Sequence, residues 1–244
     1  MTQPEPTAAM TATDLAGQVY TRILGILSNR IWTGAETLND VTLAQSLGVS
    51  RTPVRLALAK LANEGLVRKM PGKDWVPIAL TLKDIRNIFE IKEALEAQAV
   101  RRAAELITPA AAEELRGVVQ QMHEAESRCD LRRWIQADDS FYQLLFKIDG
   151  NERLTHTIEL LDSQWYRYRM GYLAQENCLG VLYEEHRPIA EADIAGEGDG
   201  ASAAIIQHLT HVRNQILKIT RDVLMPFLGI VDAPVDARIA REAR

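Results

Sequence analysis

The chain has 244 residues, of which 47% are hydrophobic and 25% charged, with a formal charge of −5, the composition of a globular protein long enough for two domains. No apolar run approaches the roughly 20 residues of a membrane span. The two cysteines, Cys129 and Cys178, lie far apart, which excludes a disulfide scaffold or a cysteine metal motif and points to a reducing cytoplasm.

Charge is unevenly spread. Residues 14–80 hold eight Lys/Arg against five Asp/Glu, a net +3, whereas residues 81–244 hold 20 against 27, a net −7. A basic N-terminal module ahead of an acidic remainder fits one nucleic-acid-binding domain joined to something else. Residues 1–13, MTQPEPTAAMTAT, contain no basic residue and no apolar core. They read as a disordered leader rather than a signal or transit peptide.

From Asp14 to Arg30, Leu15, Val19, Ile23, Ile26 and Leu27 recur at helical spacing, and Thr33-Gly34 is a turn. Asn39 or Asp40 caps the next helix, whose Leu43, Ala44 and Leu47 form an apolar face and which Gly48 ends in a left-handed conformation. Ser50 caps a further helix, with its hydroxyl available to the first free amides, and Pro53 falls in the first turn, where a missing N–H costs nothing. Val54, Leu58 and Leu61 are its inward stripe. Ser50, Arg51, Thr52 and Arg55 cluster at its outward N-terminal end. Two arginines and two hydroxyls at a helix N-terminus, held across a shorter helix, suit a DNA major groove. The plain alternative is a helical hairpin with a solvated charged end.

Leu66 to Met70 and Lys73 to Ile78 alternate around Pro71-Gly72, which predicts a β-hairpin. Three helices and a hairpin make a winged helix over 14–78, whose wing carries Arg68, Lys69 and Lys73 toward phosphates or a minor groove. From residue 79 the pattern is helical. A helix spans Thr81 to Leu106, with Thr81 and Asp84 as a capping box and Ile85, Ile88, Phe89, Ala94, Leu95 and Ala99 inward. Others run from Thr108-Pro109 to about Ser127, from Asp130 to about Asp149, from Glu152 to about Tyr172, from Glu176 to Ala195, and from Ala201 to about Leu224 after a Gly-rich break. Residues 79–224 therefore form an antiparallel bundle of about six helices, the kind that builds ligand and metal sites in its core. Residues 225–244 are a tail.

TGAETL, LAQSLGVSRTPVRLAL and LANEGLV resemble the winged-helix domain of the GntR family of bacterial transcription regulators. IKEALEAQAVRRAAEL, opening the bundle, resembles the FCD effector-binding domain of the FadR-type subfamily. The resemblance covers about residues 14–222. It implies a homodimeric regulator, usually a repressor, that binds a palindromic operator in double-stranded DNA under the control of a small organic acid. By position, Ser50, Arg51, Thr52 and Arg55 correspond to the family's DNA contacts, with Lys73 in the wing. Two places depart from the pattern: Val41 stands where the family usually has a backbone-contacting arginine, and Lys73 where it usually has the wing glycine.

Many FCD domains hold a divalent metal with an Asp-x-x-x-His pair on one helix and two further histidines. Here Asp138 matches the aspartate, Tyr142 replaces the first histidine, and His186 and His208 match the others. Asp138 and Tyr142 share a helix face at i, i+4. Asp plus two neutral imidazoles is a workable three-ligand site for zinc or a similar ion. Three readings stand: a metal on three side chains plus solvent or effector, a metal with Tyr142 as phenolate, or a metal-free pocket in which Tyr142 and the histidines bond the effector. His123, His156 and His211 read as ordinary satisfied histidines. An acidic effector also needs a cation. Arg167 or Arg169 suits a two-bond clamp, with Trp165, Tyr168 and Tyr172 lining a ring. Lys92 stands where the family more often has arginine; with Glu96 it also reads as a surface i, i+4 pair.

A metal-dependent enzyme in the bundle is the competing function, since Asp/His/His also suits hydrolytic zinc. No general base recommends itself beyond Glu184 and Glu185, and an enzyme does not explain the winged helix. A purely DNA-architectural protein, whose bundle only dimerises, is a third reading.

Overall fold

The computed structural model describes residues 12–28, 32, 36–71, 74–173, 175 and 177–224. The chain forms two compact units that divide between Ala79 and Leu80. Among the described residues, no helix is long and apolar enough to cross a membrane. The expected leader, the Thr33-Gly34 turn, the wing tip at Gly72 and Lys73, and the tail beyond Leu224 lie outside the described residues.

The first unit holds α1 (Ala12–Ser28), α2 (Asp40–Leu47), α3 (Arg51–Asn63), β1 (Val67–Lys69) and β2 (Trp75–Pro77). Val19, Ile23 and Leu27 of α1 and Val54, Leu58 and Leu61 of α3 are all nearly inaccessible and share one core with Leu43, Ala44 and Leu66. Asn39 caps α2, its Oδ1 accepting from the amides of Val41 and Thr42 at 2.8 and 3.0 Å. Gly48 closes α2 at φ 68°, a left-handed turn that a side chain would strain. Ser50 is the extended N-cap residue of α3, but its hydroxyl bonds none of the first amides, contrary to the sequence expectation. The residue is exposed, so water competes for that hydroxyl and the amides of the first turn stay available. The hairpin pairs Val67 with Pro77, Arg68 with Val76 and Lys69 with Trp75. Leu38 bridges Trp75 on the other side, with N–O distances of 2.7 and 3.1 Å, and ties the wing to the start of α2.

The second unit is helical: α4 (Leu82–Leu106), α5 (Pro109–Ser127), α6 (Leu131–Asp149), α7 (Glu152–Leu173), α8 (Cys178–Ala195) and α9 (Gly198–Ile219), followed by a π-helical turn over Thr220–Leu224. Caps set the breaks. Thr81 and Asp84 form the capping box of α4, Thr108 caps α5 with Pro109 at its first position, and Asp130 caps α6. The last helix starts three residues earlier than its glycines suggest, with Gly198 and Gly200 inside its first turn.

Helix α4 is the hub and packs on α6, α7, α8 and α9. Its buried face runs through Ile85, Ile88, Phe89, Lys92, Glu96, Ala99, Val100 and Ala103. One expectation changes here and one alternative falls. Ala94 is exposed, and Lys92 and Glu96 are 3% and 1% exposed, which removes the alternative that they form a surface pair. A helix enclosed by four others buries a wider arc than an amphipathic pattern marks. Where that arc meets a polar cavity, charged residues serve.

Candidate functional site

In the first unit, Ser50, Arg51, Thr52 and Arg55 are all exposed at the N-terminal end of α3. The helix places Arg51 and Arg55 one turn apart. Between them stands Asp40, the first residue of α2: Arg51 Nη2 donates to both of its carboxylate oxygens at 3.2 and 3.1 Å, and Arg55 Nε lies 3.9 Å away. Asp40 thus gathers the two arginines whose side chains stay 58% and 69% exposed. Val41 beside it is exposed too, on the face where an arginine was expected by resemblance.

The second unit contains a cavity of about 530 Å³ between α4, α6, α7, α8 and α9. Asp138, Tyr142, His186, His208, Lys92 and Arg169 all line it. Arg167 sits on α7, but its side chain lies outside the described residues. Trp165 and Tyr172 also line the cavity, whereas Tyr168 turns away and its hydroxyl accepts from the amide of Leu80 at 2.9 Å. Helical spacing explains the arrangement: Trp134, Asp138 and Tyr142 follow at i, i+4, i+8 on α6, and Asp162, Trp165 and Arg169 at i, i+3, i+7 on α7.

His186 is 1% exposed and its Nδ1 lies 2.7 Å from the carbonyl of Leu182. A carbonyl only accepts, so Nδ1 carries the proton. Nε2 stands 2.9 Å from Asp138 Oδ1, within ion-pairing distance. At that distance a proton or another cation lies between the nitrogen and the carboxylate oxygen. His208 packs against His186 with ring centroids 4.5 Å apart, and its Nδ1 meets Glu185 at 2.9 Å. Burial and the neighbouring His186 push its pKa down to about 4, so at neutral pH it is an uncharged imidazole. Glu185 also bonds Nδ1 of His211.

Lys92 and Arg169 are already paired. Arg169 bonds Asp138, and also Asp139 at 3.1 Å. Lys92 bonds Glu96 on its own helix and Asp162 on α7. Burial alone would raise the Asp138 carboxyl, but Arg169 and His186 outweigh it and hold it well below the usual range. Burial raises the Glu96 carboxyl above its ordinary value despite Lys92, whose charge it shares with Asp162. Burial, with Glu96 and Asp138 nearby, lifts the Tyr142 phenol well above its ordinary value, so it stays protonated. Among the described lining residues three Lys/Arg face six Asp/Glu, which leaves the cavity short of positive charge.

Residues 15–76 match the family of bacterial regulatory proteins named gntR, and residues 87–211 match the FCD domain. The chain belongs to the GntR family, in the group that carries an FCD domain. It is a DNA-binding transcriptional regulator. It is similar to the HTH-type transcriptional repressor RspR of Escherichia coli K12, at 29% identity over 76% of this chain and 81% of that protein. It is likewise similar to the HTH-type transcriptional regulator LutR of Bacillus subtilis 168, at 30% identity over 70% of this chain and 87% of that one. Among solved structures, E. coli McbR/YncC shares the fold with a TM-score of 0.71 and 22% identity, over 84% of this chain and 97% of its own.

The FCD domain raises the question of a metal. Among the described residues no group of three His, Cys, Asp or Glu side chains is placed to hold a metal ion. The donor types at the site are nevertheless those that a divalent ion takes. The buried Nε2 of His186 faces an ionised Asp138, and both histidines carry outer partners of the kind that orient metal ligands, Leu182 for one and Glu185 for the other. Tyr142, as a protonated phenol, adds no fourth charged donor.

Some residues escaped the sequence reading and others were read in a different role. Asp162 and Trp134 line the cavity unanticipated; Glu96 lines it too, Glu185 bridges two histidines, and Asp40 collects Arg51 and Arg55. Helical phase could have placed Asp162 beside Arg169 and Trp134 beside Asp138. Nothing local marks Asp162 as the partner of a lysine 70 residues away.

Proposed function

We propose that this GntR-family protein is a ligand-responsive repressor that binds a palindromic operator as a homodimer, and that a small organic acid in the FCD cavity sets its DNA affinity. In the metal-dependent form of this reading, Asp138, His186 and His208 hold a divalent ion. Such an ion would supply the positive charge that the lining lacks and open positions for a carboxylate. In that form, Arg169 steadies the second oxygen of Asp138, Leu182 and Glu185 fix the two imidazoles, and the Tyr142 hydroxyl is left to bond the effector.

One observation carries the reading most. A cavity of about 530 Å³, the size of a small-molecule site, is walled by five helices and lined by paired charges and orphan polar atoms. A bundle that served only to dimerise would gain nothing from these buried charges. On the DNA side, exposed Arg51 and Arg55 are suited to guanine edges, and Ser50, Thr52 and the free amides of α3 to phosphates. A single α3 spans few base pairs, which is why the reading includes a dimer.

Operator binding measured with and without organic acids is the direct test. An acid should change operator affinity and raise the melting temperature together; if none alters DNA binding, the sensor reading fails. Arg51→Ala or Arg55→Ala should each remove about 1–3 kcal/mol of discrimination between operator and unrelated DNA, without unfolding the protein. Intact discrimination in either variant would refute the assigned helix. Elemental analysis of protein purified without chelators or a nickel column decides the metal. Metal present in wild type and lost in His186→Ala supports it; metal absent, with unchanged ligand response in His186→Ala and His208→Ala, supports the metal-free pocket.

A further inference from the structure

We propose that Asp162 is a built-in stand-in for the effector's carboxylate, and that the cavity takes an organic acid carrying one carboxylate for Lys92 and a second acceptor group for Trp134. This rests on the reading of the cavity as an effector site.

Lys92 is 3% exposed and has two carboxylate partners of unequal standing. Glu96 lies on the same helix one turn away, is 1% exposed and is a permanent neighbour. Asp162 reaches across from α7 with its side chain 43% exposed. The same Oδ1 that meets Lys92 Nζ also accepts from Trp165 Nε1 at 2.9 Å. Two donors from two helices therefore converge on one oxygen at the cavity wall.

That cradle is built rather than incidental. Trp165 is 8% exposed, its ring lies 5.1 Å from that of Phe89, and Lys92 Nζ stands 5.6 Å from the Trp165 centroid. An incoming carboxylate that replaces Asp162 inherits both donors, so the positive charge of Lys92 is matched before and after. Asp162 swings toward water, where a half-exposed carboxylate regains hydration. Glu96 has no such exit. The exchange avoids breaking a buried ion pair without replacement, which is the costly event.

Trp134 supplies an independent observation. It is fully buried, lines the same cavity, and its indole Nε1–H has no acceptor. A buried donor left unmatched costs free energy that a ligand oxygen recovers. It asks for an acceptor, which an acid or hydroxy acid offers and a simple amine does not.

The test uses the full-length protein as wild type, Asp162→Asn and Trp134→Phe, with succinate, malate and citrate as probes and putrescine as the opposite-charge control. Binding is followed by thermal shift and titration calorimetry. Asp162→Asn keeps an acceptor for Trp165 while removing the competing charge, so at least one acid should bind it about fivefold more tightly than wild type, the scale of one half-exposed ion pair. Trp134→Phe loses a donor that is unmatched in the free protein, so it folds without a hydrogen-bond cost and should bind the same acid about tenfold more weakly. If acids bind wild type but bind Asp162→Asn equally or less well, the stand-in role is overturned while the effector reading survives. If putrescine stabilises wild type and loses its effect in Asp162→Asn, Asp162 receives a cation and the ligand class is wrong. If no acid binds any of the three proteins, both this inference and the acid effector fail. Unchanged acid affinity in Trp134→Phe overturns the second contact.

Discussion

Asp193 on α8 offers the sharpest energetic test of the helical domain. Its residue is 0% exposed, and neither carboxylate oxygen has a hydrogen-bond partner. Burial pushes its pKa up to about 8, against an ordinary value near 4 for an unfolded chain. Between those values the folded protein keeps a proton that the unfolded chain releases. Stability from this group is therefore fully present below pH about 4 and is lost as pH rises toward 8, at about 1.4 kcal/mol per unit. From pH 5 to pH 8 the loss is on the order of 4 kcal/mol, a large share of a typical domain's stability.

Asp193→Asn has nearly the same shape and no charge at any of these pH values. It should match or trail wild type at pH 5, where the acid is neutral, and exceed it by several kcal/mol at pH 8. Urea denaturation at several pH values, followed by far-ultraviolet circular dichroism, reports mainly on this domain, which holds most of the helix. Because two units can unfold separately, the quantity to compare is the difference between variant and wild type at each pH. A difference that stays constant from pH 5 to pH 8 would refute the reasoning, since it would mean that the buried group does not titrate in this range.

Three further outcomes are expected. Asp40→Asn should hardly change stability, because an ion pair whose arginines stay largely in solvent contributes at most about 1 kcal/mol. It should strengthen binding to non-operator DNA and steepen the salt dependence by about one counterion, measured by fluorescence anisotropy from 50 to 200 mM salt; an unchanged slope would mean that Arg51 and Arg55 are not held back by Asp40. Gly198→Ala should destabilise the domain by about 1–3 kcal/mol, because an added Cβ falls 2.9 Å from the backbone oxygen of Arg101 and pushes α9 off α4. Gly117→Ala, in open space on α5, should instead stabilise by about 0.4–1 kcal/mol, and thermal melts of the two variants moving in the same direction would contradict the packing described.

Most of the architecture was legible because its signals are local. Asn39, Thr81, Thr108 and Asp130 cap the helices they precede, Gly48 ends α2, and Pro71-Gly72 separates two alternating strands. The reach of a cap or turn is three or four residues, so reading it needs no knowledge of the rest of the chain. Ser50 shows the limit of that logic, since the position is right and the hydrogen bond is absent. Lys92 and Glu96 show it more sharply: the spacing of an i, i+4 ion pair is the same on a surface and in a cavity wall, and only the packing of four other helices around α4 tells them apart.

By itself, then, the sequence determined that this protein has a winged-helix reader with Ser50, Arg51, Thr52 and Arg55 at its outer end, a bundle behind it, and Asp138, Tyr142, His186 and His208 on helices of that bundle. Periodicity and capping act over one or two turns and mark the helices; the four bundle residues were singled out by the resemblance to FCD domains. The tertiary structure decided who pairs with whom. Arg169 with Asp138, Lys92 with Asp162, Glu185 with His208 and Asp40 with Arg51 join residues 11 to 70 positions apart. Desolvation then sets what each pairing means, because burial turns an ordinary charge into one that must be matched by a neighbour, a proton or a ligand.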